Sequence, residues 1–314
     1  MALRPGRRIR YVIYAGLLCA GLSGCQFSTA LPEIGTPEEA PPAPPSAESL
    51  AFADYYADVQ TRLLADGLLR TDGGGPDTPI TVSSLAANFE RIALYDEYAL
   101  TGGQFVARET PSVLRRWAEP VRLQAHFGAS VDAVTRSRDR AFLASYARRL
   151  GRITDHPVSA TGQGGNFHIL YLNRDEQLDA AELLESLVPG IGAETVREIT
   201  RLPRFTFCSV YAFSEASDQS TYVTAIAVIR TEHPELLRRS CVHEEVAQGL
   251  GLPNDSPAAR PSIFNDDEEF ALLTDHDELL LQMLYDNRLD TGIAADEARP
   301  IIREIAEELL GGPS

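Results

Sequence analysis

The order of apolar patterns between positions 121 and 251 limits the fold more than any bulk property does. Val121, Leu123, Ala125 and Phe127 alternate with Arg122, Gln124 and His126, which marks a half-buried strand. Residues 130–152 read as a long amphipathic helix with Ser130 as its cap. Residues 167–172 form a short apolar run that predicts a second strand, and residues 222–229 a β-rich run buried on both faces. Pro234 suits the opening of the next helix. Residues 178–187 and 193–202 look like a helical insertion, and residues 275–285 and 295–309 like two closing helices. Strand, long helix, strands, helix predicts an α+β fold.

Residues 50–112 are expected to be a helical N-terminal region. A helix over residues 55–69 ends at the breaker Gly73-Gly74-Gly75-Pro76, and a second over residues 83–98 is capped by Ser83 or Ser84. The main domain then occupies residues 113–314, and no internal repeat is visible.

The first 24 residues read as a signal peptide. Arg4, Arg7, Arg8 and Arg10 precede an apolar run at residues 11–22, which is too short and wrongly flanked for a membrane span. The run ends in Leu22-Ser23-Gly24-Cys25, which resembles a bacterial lipobox, with Cys25 as the lipidation site. Gln26 beside it resembles outer-membrane sorting. Residues 25–49 form a Pro-rich tether, with six prolines between Pro32 and Ser49. The expected location is the cell envelope, as a lipoprotein facing the periplasm, more at the outer membrane than the inner. Contact with the membrane would run through the lipid anchor.

All 28 basic residues are Arg, and the net charge is −17. Loss of four arginines and no acid with the signal takes −17 to −21. A chain this acidic should repel nucleic acid and anionic headgroups. After Cys19 and Cys25, the even pair Cys208 and Cys241 remains, and an oxidising compartment predicts a disulfide between them.

The candidate site is His243-Glu244-Glu245-Val246-Ala247-Gln248-Gly249-Leu250-Gly251-Leu252-Pro253-Asn254-Asp255. A zinc peptidase helix uses His-Glu-x-x-His, whose i and i+4 histidines bind the metal while the Glu activates water. Starting at His243 puts Ala247 at the second ligand position, where it cannot bind. Starting one residue later puts Glu244 and Gln248 at the first two ligand positions and Glu245 at the general base. Gly251 then falls at the turn and Asn254, with Asp255 beside it, at the third ligand. This oxygen set suits a divalent cation such as Ca²⁺, Mg²⁺ or Mn²⁺ better than Zn²⁺.

In the second register the segment resembles the metzincin pattern His-Glu-x-x-His-x-x-Gly-x-x-His/Asp, including Leu250-Gly251-Leu252. Pro261-Ser262-Ile263-Phe264 sits where metzincins place a Met-containing turn, with Phe264 or Ile263 substituting. Residues 273–285 resemble the last matrixin helix, with Thr274 as cap and Asp277 three residues on. More widely, residues 50–300 resemble a proteobacterial lipoprotein family, domain of unknown function 2927. The carriers are Leu69-Arg70-Thr71-Asp72, Asn88-Phe89-Glu90-Arg91-Ile92-Ala93 and residues 241–285, with Ser262-Ile263-Phe264-Asn265-Asp266-Asp267 among them. These resemblances imply a zincin-like (metzincin-like) mixed sheet with long helices. They leave two functional readings open. One is a pseudopeptidase that binds an envelope protein or peptide; the other is a divergent metal-dependent hydrolase with Glu245 as general base.

Overall fold

A computed structural model describes residues 43–101, 104–215, 217–265 and 267–311. The signal, Cys25, most of the tether and Asp266 lie outside the described residues. Among the described residues, no helix is long and apolar enough to cross a membrane.

In chain order the elements are α1 (Ala47–Ala65), α2 (Val82–Ala93), β1 (Tyr95–Thr101), β2 (Gln104–Pro111), β3 (Arg116–Trp117), β4 (Val121–Phe127), α3 (Ala133–Thr154), β5 (Val158–Thr161) and β6 (Phe167–Leu172). They continue with α4 (Arg174–Leu178), α5 (Ala181–Leu187), α6 (Ala193–Thr200), β7 (Cys208–Glu215), β8 (Asp218–Arg230), α7 (Glu235–Gly251), α8 (Asp275–Leu284) and α9 (Ala295–Leu309). The protein is α+β with a mixed sheet and preceding helices. One departure from the sequence reading is large: the helical N-terminal region stops at α2, and β1 and β2 form an antiparallel hairpin. Aromatic and branched residues on either side of Gly102-Gly103 suit a hairpin better than a helix.

The main sheet runs β5-β4-β6-β8-β7. β4, β5, β6 and β8 are mutually parallel, β7 is antiparallel to β8, and β3 pairs with the start of β8 at Thr221 and Tyr222. β6 is buried at every position, as a central parallel strand should be. One sheet face, carrying Leu123, Phe167, Ile169 and Ala227, packs into the main core with Leu143 and Leu150 of α3 and Val246 and Leu250 of α7. The other face, carrying Leu170, Leu172, Ile226 and Val228, packs against Leu184 of α5 and Ile199 of α6. The insertion therefore covers the back of the sheet.

Helix starts follow local chemistry. The α3 cap is Asp132, which accepts from the N–H groups of Val134 and Thr135 at 2.9 and 3.0 Å. The expected cap, Ser130, instead donates its hydroxyl to Glu176 Oε2 at 2.8 Å. The α2 cap is Thr81, and Ser84 closes a capping box with it. Thr274 and Asp277 form the expected capping box at α8.

α7 lies unusually close to the sheet. A Cβ on Gly249 would come 2.4 Å from the Phe167 ring. The Gly249 carbonyl accepts from the Trp117 indole N–H at 2.8 Å, and Trp117 stacks on Phe167 with centroids 6.1 Å apart. Gly251 ends the helix at φ +134°, a region open to glycine, and a Cβ there would come 2.2 Å from the Arg115 carbonyl.

Candidate functional site on the last turns of the Glu235–Gly251 helix

One side of α7 faces the core and the other faces β7. His243 belongs to the first. It is 4 % exposed, stacks on Tyr146 with ring centroids 4.0 Å apart, and its Nδ1 accepts from the Leu273 N–H at 2.9 Å. Burial, aided by the nearby charges of Arg149 and Arg239, pushes its pKa down to about 3. His243 is a neutral core residue bonded to a neighbouring loop, which agrees with the failure of the register that starts on it.

Cys241 and Glu245, four residues apart, share the other side. Cys241 is bonded to Cys208, the first residue of β7, with a Cα–Cα distance of 5.8 Å and a sequence separation of 33. The predicted disulfide is present. Closing a loop of that length contributes roughly 3–4 kcal/mol in the chain-entropy account.

Among the described residues, one group of three or more His, Cys, Asp or Glu donor atoms lies within metal-binding reach. It comprises Cys208, Glu244 and Glu245, whose atoms lie within 4.8 Å of one another. The chemistry of this set does not fit a metal centre. The Cys208 sulfur is a disulfide sulfur, not a thiolate, so two adjacent carboxylates remain.

The expected ligand set does not gather as the spacing suggested. Gln248 Nε2 donates to Asp255 Oδ1 at 3.2 Å, so these two meet with the amide acting as a donor. Asn254 is 2 % exposed and is spent on α2: its Nδ2 donates to the Arg91 carbonyl at 2.9 Å and its backbone N–H to the Ile92 carbonyl at 3.2 Å. Glu244 is half-buried on the β7 side. Glu245, the expected general base, is 4 % exposed and lies close enough to β7 for its charge to act on Tyr211. Burial is the main force holding the Tyr211 hydroxyl above its usual range, and that hydroxyl donates to Glu198 Oε1 at 2.9 Å.

The loop beneath is fixed by Asp277, which is fully buried. Its carboxylate accepts from Ser262 Oγ at 2.5 Å, from the Ile263 N–H at 3.1 Å and from Thr274 Oγ1 at 2.8 Å. Phe264 is buried in the main core.

At this site the element that sequence reasoning missed is β7. All its residues but the last are half-buried on both faces, so no alternation marks it. Cys208 was the one signal available, since a partner for Cys241 had to lie beside α7.

No curated protein and no solved structure matches the chain. Residues 82–304, more than half of the chain, match the family described as "Protein of unknown function (DUF2927)". The match spans α2, the whole mixed sheet, α7 and α8, and the chain belongs to this family.

Proposed function

We propose that this protein is a lipid-anchored envelope module that binds extended peptide through a degenerate peptidase-like cleft, without metal chemistry. The observation that carries this reading is the bridge between Cys208 and Cys241. It ties an eight-residue antiparallel edge strand to the helix bearing Glu244 and takes a sulfur out of the one donor cluster beside it. A zincin-like ancestry accounts for the order β5-β4-β6-β8-β7 followed by α7, because zincins hold extended substrate along such an edge strand. Strand addition needs only backbone donors and acceptors and side pockets, not a metal. Among the described residues, β7 pairs with β8 alone. Anchoring at Cys25, with the Pro-rich tether as spacer, would hold the domain in the periplasm at the outer membrane.

Fluorescence anisotropy of the full chain with a library of extended peptides tests the binding claim. Ligands should lose at least tenfold in affinity when alternate backbone amides are N-methylated, and chelators should change nothing. Metal analysis of the same preparation should give less than one equivalent. Stoichiometric metal that is lost in Glu244→Ala would overturn the reading and restore the hydrolase with Glu245 as base. Labelled palmitate should enter the wild type and not Cys25→Ala; equal labelling would remove the lipid anchor.

A further inference from the structure

β4 and β6 are parallel neighbours, and their register sets Gln124 beside His168 and His126 beside Leu170. Side chains alternate along a strand, so His126, His168 and Leu170 share the back face of the sheet. That face has two halves. Over β6 and β8 it is largely apolar and lies under α5 and α6. Over β4 and β5 it carries Arg122, Gln124, His126, Ser159 and Thr161, none of them buried. The two histidines, 42 residues apart in sequence, meet at the seam between the halves.

His126 Nε2 lies 3.1 Å from His168 Nδ1, with ring centroids 5.1 Å apart and the ring planes at 60°. His168 is 6 % exposed, and this contact is its one hydrogen bond among the described residues. The same holds for His126. Buried polar groups ordinarily find a full set of partners; here two imidazoles share a single bond. The other histidines with a bonded ring are spent elsewhere: His156 on the Glu119 carbonyl, His243 on the Leu273 N–H and His276 on Asn88.

The spacing suits a metal ion. Metal–imidazole bonds of about 2.0–2.1 Å put two ligating nitrogens about 2.9 Å apart at a right angle and about 3.4 Å apart at the tetrahedral angle. The observed 3.1 Å falls between these values. One hydrogen stands between the facing nitrogens. Its transfer to the outer nitrogen of the ring that carries it leaves two facing lone pairs, with no net loss of a proton. No carboxylate charge acts on either ring, so the pair offers nitrogen alone. Ca²⁺ and Mg²⁺, which take oxygen ligands, are disfavoured. Imidazole favours the late divalent metals, with Cu²⁺ highest in the Irving–Williams order.

We infer that His126 and His168 together bind one Cu²⁺ ion, with water completing its coordination. Two protein ligands hold the ion exchangeably, so protein prepared without added copper should carry little of it. β8 separates β6 from β7, and the inference does not rest on peptide binding there.

Electron paramagnetic resonance of the full chain during titration with Cu²⁺ at neutral pH tests the assignment. One equivalent should give a single copper signal with hyperfine splitting from two imidazole nitrogens. Zn²⁺ should displace it only at tenfold or greater excess, and Ca²⁺ should not compete. His126→Gln and His168→Gln should each weaken copper binding at least tenfold, with circular dichroism confirming an intact fold, while His156→Gln should leave it unchanged. Peptide affinity at β7 should be the same with and without copper, so either claim can fail alone. A wild-type signal lacking two nitrogens, no saturable uptake, or equal affinity in the His126→Gln/His168→Gln double variant would overturn the assignment.

Discussion

The two edges of the main sheet solve the same problem in different ways. An open strand edge invites pairing with other chains, and proteins commonly shorten, charge or cover it. β5 has four residues and packs against α3, so it presents little edge. β7 has eight residues, runs antiparallel to its neighbour and is secured to α7 by a disulfide. A long edge that is stiffened rather than shortened is what a strand-addition site requires. The proposed peptide binding would place recognition on the β7 side and closure of the sheet on the β5 side.

The strongest way to break this contrast is at Gly251. Gly251→Val places a branched side chain at φ +134° and drives its Cβ into the Arg115 carbonyl, so it should cost more than about 4 kcal/mol. A thermal melt within a few degrees of wild type would show that the turn is not needed to seat α7 behind β7. Next in size, removing both cysteines should cost roughly 3–4 kcal/mol and lower peptide affinity along with stability. If chemical denaturation shows the loss while peptide affinity is retained, the bridge serves stability alone.

Acid acts on two buried histidines in and just before α7. His233, 3.6 Å from Cys241 Sγ, and His243 both have pKa values pushed down to about 3, mainly by burial. Between their ordinary value of 6.5 and about 3, the unfolded chain takes up protons that the folded chain refuses. Stability therefore falls as pH falls through that window, by up to about 1.4 kcal/mol per pH unit for each histidine. Calorimetric melts from pH 7 to pH 4 read this directly, and a flat profile would mean that these rings protonate in place. The smallest effect belongs to the other edge. Ser159→Lys, at an exposed position of β5, should move stability by no more than about 0.5 kcal/mol and leave peptide affinity unchanged.

Much of the fold could be read from the chain because its pattern is local. The strand at residues 121–127, the buried strand at 167–172 and the closing helix at 295–309 are found where periodicity put them. The β1–β2 hairpin is a misread local preference, whereas the failures at Ser130 and β7 come from tertiary contact outweighing it. Ser130 looked like a cap but is held by Glu176, 46 residues away. β7 carries no alternation because α7 packs on one of its faces and Tyr211 and Phe213 join the α5–α6 cluster on the other. At the site, helix spacing puts His243 about 100° around α7 from Glu244. Spacing could not show that Gln248 would turn to Asp255, or that Asn254 would be claimed by the end of α2.

Trp117 is the single tryptophan of the chain, and its indole is bonded to the carbonyl of Gly249 in the last turn of α7. The protein thus carries its own optical gauge at the point where helix and sheet meet. Buried as it is, this indole should emit in the blue. Any event that lifts the end of α7, whether reduction, acid or a strand laid along β7, should be read as a red shift from one fluorophore without a label.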